Sequence, residues 1–86
     1  MDQLLDQFMN YLAVERGLAR NTLDAYGRDL VRYLASLQSQ GVTRAGEIEA
    51  RHVMLFLGSL KDAGLAPRSR SRVLVALRTF HKFLVS

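Results

Sequence analysis

Arg68, Arg70, Arg72, Arg78 and Lys82 all fall within residues 66–83, a stretch that contains no acidic residue. Guanidinium groups present planar forks of N–H donors that match phosphate oxygens or the acceptor edge of guanine, so the chemistry on offer is recognition of an anion. The same stretch, continued to Leu84, sets Val73, Leu74, Leu77, Phe80, His81 and Leu84 at steps of one, three, three, one and three. That spacing is one face of an α-helix. A helix with an apolar side and an acid-free cationic side serves two neighbours, its inner face packing on the rest of the chain and its outer face open to something negative.

Other chemistry is sparsely provided for. His52 and His81 are the only histidines, and neither has metal-ligand spacing to a second histidine or to a carboxylate cluster. His81 lies on the apolar stripe and reads as a core-edge residue; His52, close to Glu49, reads as local capping of a helix start. The serines and tyrosines have no adjacent base to activate them, and no glycine-rich phosphate loop occurs. No catalytic residue, metal, cofactor or small-molecule substrate is therefore assigned. The absence of cysteine removes disulfides and thiolate sites and fits a reducing, cytoplasmic setting. The start, MDQLLDQF, lacks the pattern of a secretory signal, and no apolar run approaches the roughly 18 residues of a membrane span.

The elements that position the cationic stretch follow from periodicity and glycine stops. With 86 residues the chain has room for a single core. A first helix is predicted over residues 3–16, with Asp2 as N-cap and Leu4, Leu5, Phe8, Met9 and Leu12 inward; Gly17 ends it and Leu18 folds back. A second is predicted over 20–38, with Leu23, Tyr26, Leu30, Tyr33, Leu34 and Leu37 inward. Gly27 inside it costs roughly 1 kcal/mol relative to alanine, so either another backbone approaches closely there or the glycine has no structural reason. Gly41 with Val42 forms the next stop, and residues 42–49 read as a loop plugged by Ile48. A third helix is predicted over 50–63, with Val53, Phe56, Leu57 and Leu60 inward and a second internal glycine, Gly58. Gly64 and Leu65 then hand over to the cationic helix, with Pro67 in its first turn.

The second and fourth helices echo one another. GLARNT at 17–22 answers GLAPRS at 64–69, and at the same offset Leu30 matches Leu77, Tyr33 matches Phe80 and Leu37 matches Leu84. Two helices that enter alike and bury equivalent positions, each after a helix ending in glycine and leucine, make two packed helical hairpins: an all-α, four-helix domain.

Charge is distributed unevenly over this layout. Residues 1–50 hold five Lys/Arg and seven Asp/Glu, whereas residues 51–86 hold seven and one, for the overall +4. On the second helix Asn21, Ala25, Arg28 and Arg32 lie opposite the core. On the fourth, Arg68 and Arg72 are expected opposite the core and exposed, with Ser71 and Val75 beside them. Thr22, Ser69 and Ser71 sit in first turns, where hydroxyls and free N–H groups favour phosphate. The two outer faces at matching depth form one candidate surface for duplex DNA. Tyr26 and Tyr33 read as core-edge residues. Phe83 lies off the main stripe, either as a terminal contact or as an apolar surface for a missing segment.

Taken together, FMNYLAVERGLARNTLDAYGRDLVRYL and GLAPRSRSRVLVALRTFHKFL resemble the N-terminal core-binding domain of tyrosine recombinases, nearest to the bacterial XerC/XerD group and also similar to phage integrases. The resemblance covers nearly the whole chain. Its most specific parts are Glu15-Arg16-Gly17-Leu18, Asn21-Thr22-Leu23 with Tyr26 and Asp29-Leu30, and Leu77-Arg78 with Phe80, Phe83 and Leu84. It implies a SAM-like four-helix bundle that acts as one arm of a clamp on double-stranded DNA, in recombination, integration or chromosome dimer resolution. The second and fourth helices would meet the major groove, with other recombinase protomers alongside. By resemblance the DNA contacts fall to Asn21, Thr22, Ala25, Arg28, Arg68, Ser69, Arg70 and Arg72; the surface reading adds Arg32 and Ser71. The family's serine before each DNA helix is replaced by Ala19 and Ala66, which weakens both N-caps by about 1 kcal/mol each. The family's tyrosine nucleophile and its Arg, His and Lys partners lie in a second domain with no counterpart in these residues. Two other readings remain: a helical protein–protein interaction module, for which Phe83 offers a surface, and a helix-turn-helix regulator.

Overall fold

Hydrophobic residues at helical spacing, separated by three glycines, fold into four helices in the computed structural model, which describes residues 1–86. They are α1 (Asp2–Val14), α2 (Arg20–Ser39), α3 (Ala50–Asp62) and α4 (Pro67–Val85), with one turn of 3₁₀-helix at Ala45–Glu47 between α2 and α3. There is no strand, and no helix is long and apolar enough to cross a membrane.

The three stops predicted at glycine are made as left-handed turns, at φ of 59° for Gly17, 82° for Gly41 and 85° for Gly64. After α2 and α3 the chain closes the same way. Val42 N–H donates to Leu37 C=O at 2.9 Å, and Leu65 N–H donates to Leu60 C=O at 3.0 Å. The six-to-one bond satisfies a terminal carbonyl and turns the following apolar side chain back onto the core. Val42 is buried; Leu18 and Leu65 pack on the core from its edge.

One core fills the space between the helices. Leu5, Phe8 and Leu12 enter from α1, Leu30, Tyr33, Leu34 and Leu37 from α2, Phe56 and Leu60 from α3, and Val73, Leu77 and Phe80 from α4. The echo between the second and fourth helices holds in three dimensions for two of its three pairs: Leu30 and Leu77 are both buried, as are Tyr33 and Phe80, whereas Leu37 is buried and Leu84 only partly so. Phe8 joins α1 to α4 through rings at 5.2 Å from Phe80 and 5.3 Å from Phe83. Phe83 also lies 5.3 Å from Tyr11. Of the two roles expected for Phe83, the terminal contact is the one observed.

Several boundaries and placements differ from expectation. Helix α1 stops at Val14 rather than Arg16, because the carbonyl of Tyr11 is shared by the N–H groups of Glu15 and Arg16 and the ladder ends there. Met1, not Asp2, occupies the N-cap, and α3 ends at Asp62, one residue early. Gly27 has no backbone against it; an added Cβ would meet only Met9 Cε at 3.6 Å, an ordinary contact. Tyr33 is fully buried rather than at the core edge.

Both histidines are structural. His52 is buried and its Nδ1 accepts the N–H of Glu49 at 2.9 Å, closing the start of α3 as the sequence suggested. His81 Nε2 lies 2.6 Å from Tyr33 Oη. Burial pushes the Tyr33 phenol up to about 12, so it stays protonated and shares a hydrogen bond with the neutral imidazole, the donor being set by the histidine tautomer. Burial also holds His81 below the usual histidine value of about 6.5. The folded domain therefore refuses a proton that the unfolded chain accepts. Stability from this source is complete above about pH 6.5 and is lost as pH falls through that value towards the lower folded pKa. Urea midpoints measured between pH 7.5 and 5.5 should fall, and His81→Gln should fall less over the same interval. Equal falls in the two proteins would remove His81 as the cause.

Candidate nucleic-acid interface

The start of α2 is built without a side-chain cap. Ala19 holds the N-cap position in an extended conformation and supplies no hydrogen bond. The first backbone bond of the helix runs from Leu23 N–H to Ala19 C=O, leaving the N–H groups of Arg20, Asn21 and Thr22 without partners within the helix. Helix α4 repeats this. Ala66 is the N-cap, Pro67 follows it, and Arg70 N–H to Ala66 C=O is the first bond, so Arg68 and Ser69 keep free N–H groups. Alanine at both caps, noted in the sequence, thus leaves two helix starts whose donors are open to an outside acceptor.

Exposure then sorts the candidate residues. Asn21, Arg28 and Arg32 on α2 are exposed, and Arg68 and Ser71 on α4 are exposed. Thr22 and Ala25 are half-buried on α2, and Ser69 and Arg70 are half-buried on α4. Arg70 and Ser71 line a shallow depression with Leu57 and Leu74, which places them towards α3. Arg28 and Arg32 border another, with Met9, Leu23 and Val31, on the α1 side. Asp24 is exposed on the same face of α2 and is the one acidic side chain within the candidate surface.

Arg72 departs from expectation. Predicted to be exposed and free, it is half-buried and committed to a partner. Its Nε donates to Asp29 Oδ2 at 2.9 Å and its Nη2 donates to Asp29 Oδ1 at 2.9 Å. The Asp29 residue is 1% exposed. The hydrogen bonds it donates to Asp29 raise the Arg72 pKa above its already high ordinary value. The reason lies in α2, where Asp29 follows Tyr26 by three residues and precedes Tyr33 by four, on the buried edge of the helix. A carboxylate placed there needs a cation from the neighbouring helix.

This pair was not recognised from sequence, although a signal existed. Asp29 is the one acidic position on the inward side of the second helix, and the helix packed beside it carries cations and no acid. The bond fixes the lateral relation of α2 and α4 and so sets their outer faces side by side. The only other ion pair, Arg51 to Glu49, is solvent-exposed at the start of α3. Arg28, Arg32, Arg68, Arg70, Arg78 and Lys82 have no acidic partner.

The arrangement is an all-α domain whose exposed chemistry is guanidinium, amide and uncapped backbone N–H, with no group of His, Cys, Asp or Glu able to hold a metal. Comparison with known families makes it specific: the chain belongs to the phage integrase N-terminal SAM-like domain family, whose model matches residues 5–86. It is 40% identical over 82 residues to the tyrosine recombinase XerD of Brucella abortus and 32% identical over 83 residues to that of Staphylococcus haemolyticus. Those alignments cover 95% and 96% of this chain but 26% and 28% of the relatives, so the chain spans about a quarter of their length. Its residues correspond to the N-terminal domain, and the catalytic domain is not among them. No solved structure matches the chain.

Proposed function

We propose that this domain is the non-catalytic DNA-gripping arm of a site-specific tyrosine recombinase of the XerD type, holding a duplex against the outer faces of α2 and α4. One observation carries the reading. Two helices with open N-termini lie side by side, tied by Asp29 and Arg72, and present Asn21, Arg28, Arg32 and Arg68 without acidic partners. Free backbone donors and guanidinium groups on two adjacent helices suit a run of phosphates, and Asn21 and Arg68 have the donor patterns for adenine and guanine edges.

In this role the arm supplies affinity and register. Strand cleavage belongs to a separate domain of the recombinase, working inside the cell on chromosomal or integrating DNA with other protomers. The protein-interaction alternative loses its main support, because Phe83 packs on Phe8 and Tyr11 rather than facing outward.

Titration of the 86-residue chain with duplex DNA at several salt concentrations tests the reading. Contact with about four to six phosphates gives a log–log slope near −4 to −5. Arg28→Ala and Arg68→Ala should weaken binding and flatten that slope by about one each, without loss of helicity, since neither arginine has a partner in the fold. No binding at low salt, or a flat response, would refute it.

A further inference from the structure

A guanidinium carries five N–H donors on two usable edges. In Arg72 the side edge, formed by Nε and one N–H of Nη2, is spent on the two oxygens of Asp29. The end edge, formed by Nη1 and the other N–H of Nη2, has no partner in the protein, and the side chain remains 37% exposed. Arg68 lies one turn earlier on α4 and is exposed, while Ala25 lies one turn earlier than Asp29 on α2 and adds no bulk beside the pair. A flexible four-torsion side chain is thus held by a fully buried carboxylate, at the seam between the two helices that form the candidate surface.

We propose that Asp29 is a positioning residue: it locks Arg72 so that the end edge of the guanidinium forks onto a pair of acceptors on the duplex. This rests on the DNA-binding reading above, which uses Asp29 and Arg72 only as a tie between the helices, and gives the pair a part in binding itself. The acceptors are either two phosphate oxygens or the O6/N7 edge of guanine, since both offer the same bidentate geometry. Preorganisation is the source of the gain. An arginine already immobilised by Asp29 loses little side-chain entropy when it binds, whereas a free one must be ordered at that moment. The pair resembles a surface salt bridge in composition, but burial of the carboxylate makes it a fixed mount.

The experiment is a duplex titration comparing the wild-type chain with Asp29→Asn, Arg72→Lys and Arg28→Ala. Asp29→Asn raises the net charge from +4 to +5. On charge alone it should bind DNA as tightly as the wild type, or more tightly. The positioning role predicts the opposite sign, with affinity about tenfold weaker. Arg72→Lys keeps a cation against Asp29 but has no second edge, and should lose a similar factor.

Two duplex probes separate the acceptors. With phosphate, the loss is the same on random-sequence duplex and on duplexes enriched from a random pool by the wild-type chain. With guanine, it appears only on the enriched duplexes. Wild-type-like or tighter binding by a folded Asp29→Asn, or full affinity in Arg72→Lys, overturns the proposal. If Asp29→Asn does not fold, Arg72→Lys decides alone. The broader reading fails separately, through absent wild-type binding or an indifferent Arg28→Ala.

Discussion

Arg72→Ala is expected to destabilise the domain by about 3–5 kcal/mol at neutral pH, because it strands the buried carboxylate of Asp29 without a partner. Read from sequence as a free surface cation, Arg72 would have been replaceable with no effect on folding; the structure reverses that expectation. The magnitude is severe for a chain of 86 residues, whose whole stability is roughly 4–13 kcal/mol. Urea unfolding followed by circular dichroism measures it. A double change carries the diagnosis further. Asp29→Asn introduced into the Arg72→Ala background removes the buried charge and should recover most of the loss, so the two substitutions will be strongly non-additive. A loss below about 1 kcal/mol for Arg72→Ala, or simple additivity in the double variant, would mean that water rather than Arg72 satisfies Asp29.

Phe8→Ala is the second large effect. Phe8 is fully buried, and its ring joins α1 to Phe80 and Phe83 of α4. Truncation removes that apolar burial and leaves a cavity between two helices that cannot close without moving α1, for a cost of about 3–5 kcal/mol. The urea midpoint should fall with little change in slope. Leu55→Ala is the matching control: Leu55 is 61% exposed, and its truncation should stay within about 0.5 kcal/mol of the wild type. A Phe8→Ala change no larger than the Leu55→Ala change would show that the α1–α4 aromatic contacts do not hold the bundle together.

These two residues mark what was legible in the chain and what was not. Phe8 falls in the core because apolar spacing of three and four reports which face a helix buries. The same logic finds most inward residues of the four helices, but it also includes Leu4 and Leu74, which do not join the core, and misses the buried Ala76. The glycine stops were equally readable, since a following leucine or valine at Gly17, Gly41 and Gly64 signals a chain that must turn left-handed and fold back. The N-cap alanines were visible as departures from a pattern, and the structure gives them open helix starts.

Arg72 was misplaced because one-helix periodicity says which side is apolar but not where a neighbouring helix sits. At the seam between α2 and α4 a residue can be polar, partly exposed and still structural. The spacing of Asp29 puts it on the inward side of the second helix, but the enclosure of its carboxylate depends on where α4 packs. Tyr33 and His81 pose the same difficulty. Each was placed on its own helix, but the 2.6 Å hydrogen bond between them depends on how those helices cross. Gly27 left two readings open, a close backbone approach or no structural reason, and the fold selects the second, since only Met9 Cε lies near it.

The central claim is that duplex DNA lies across the outer faces of α2 and α4. Backbone amide chemical shifts of the 86-residue chain, recorded as duplex DNA is added, test it most directly. The account predicts that the largest changes fall on residues 20–22 and 68–69, where the helix starts are uncapped, and around Arg28 and Arg72, with α3 from Met54 to Ser59 little affected. Changes centred on α3 or on the outer side of α1, with the starts of α2 and α4 unmoved, would contradict it.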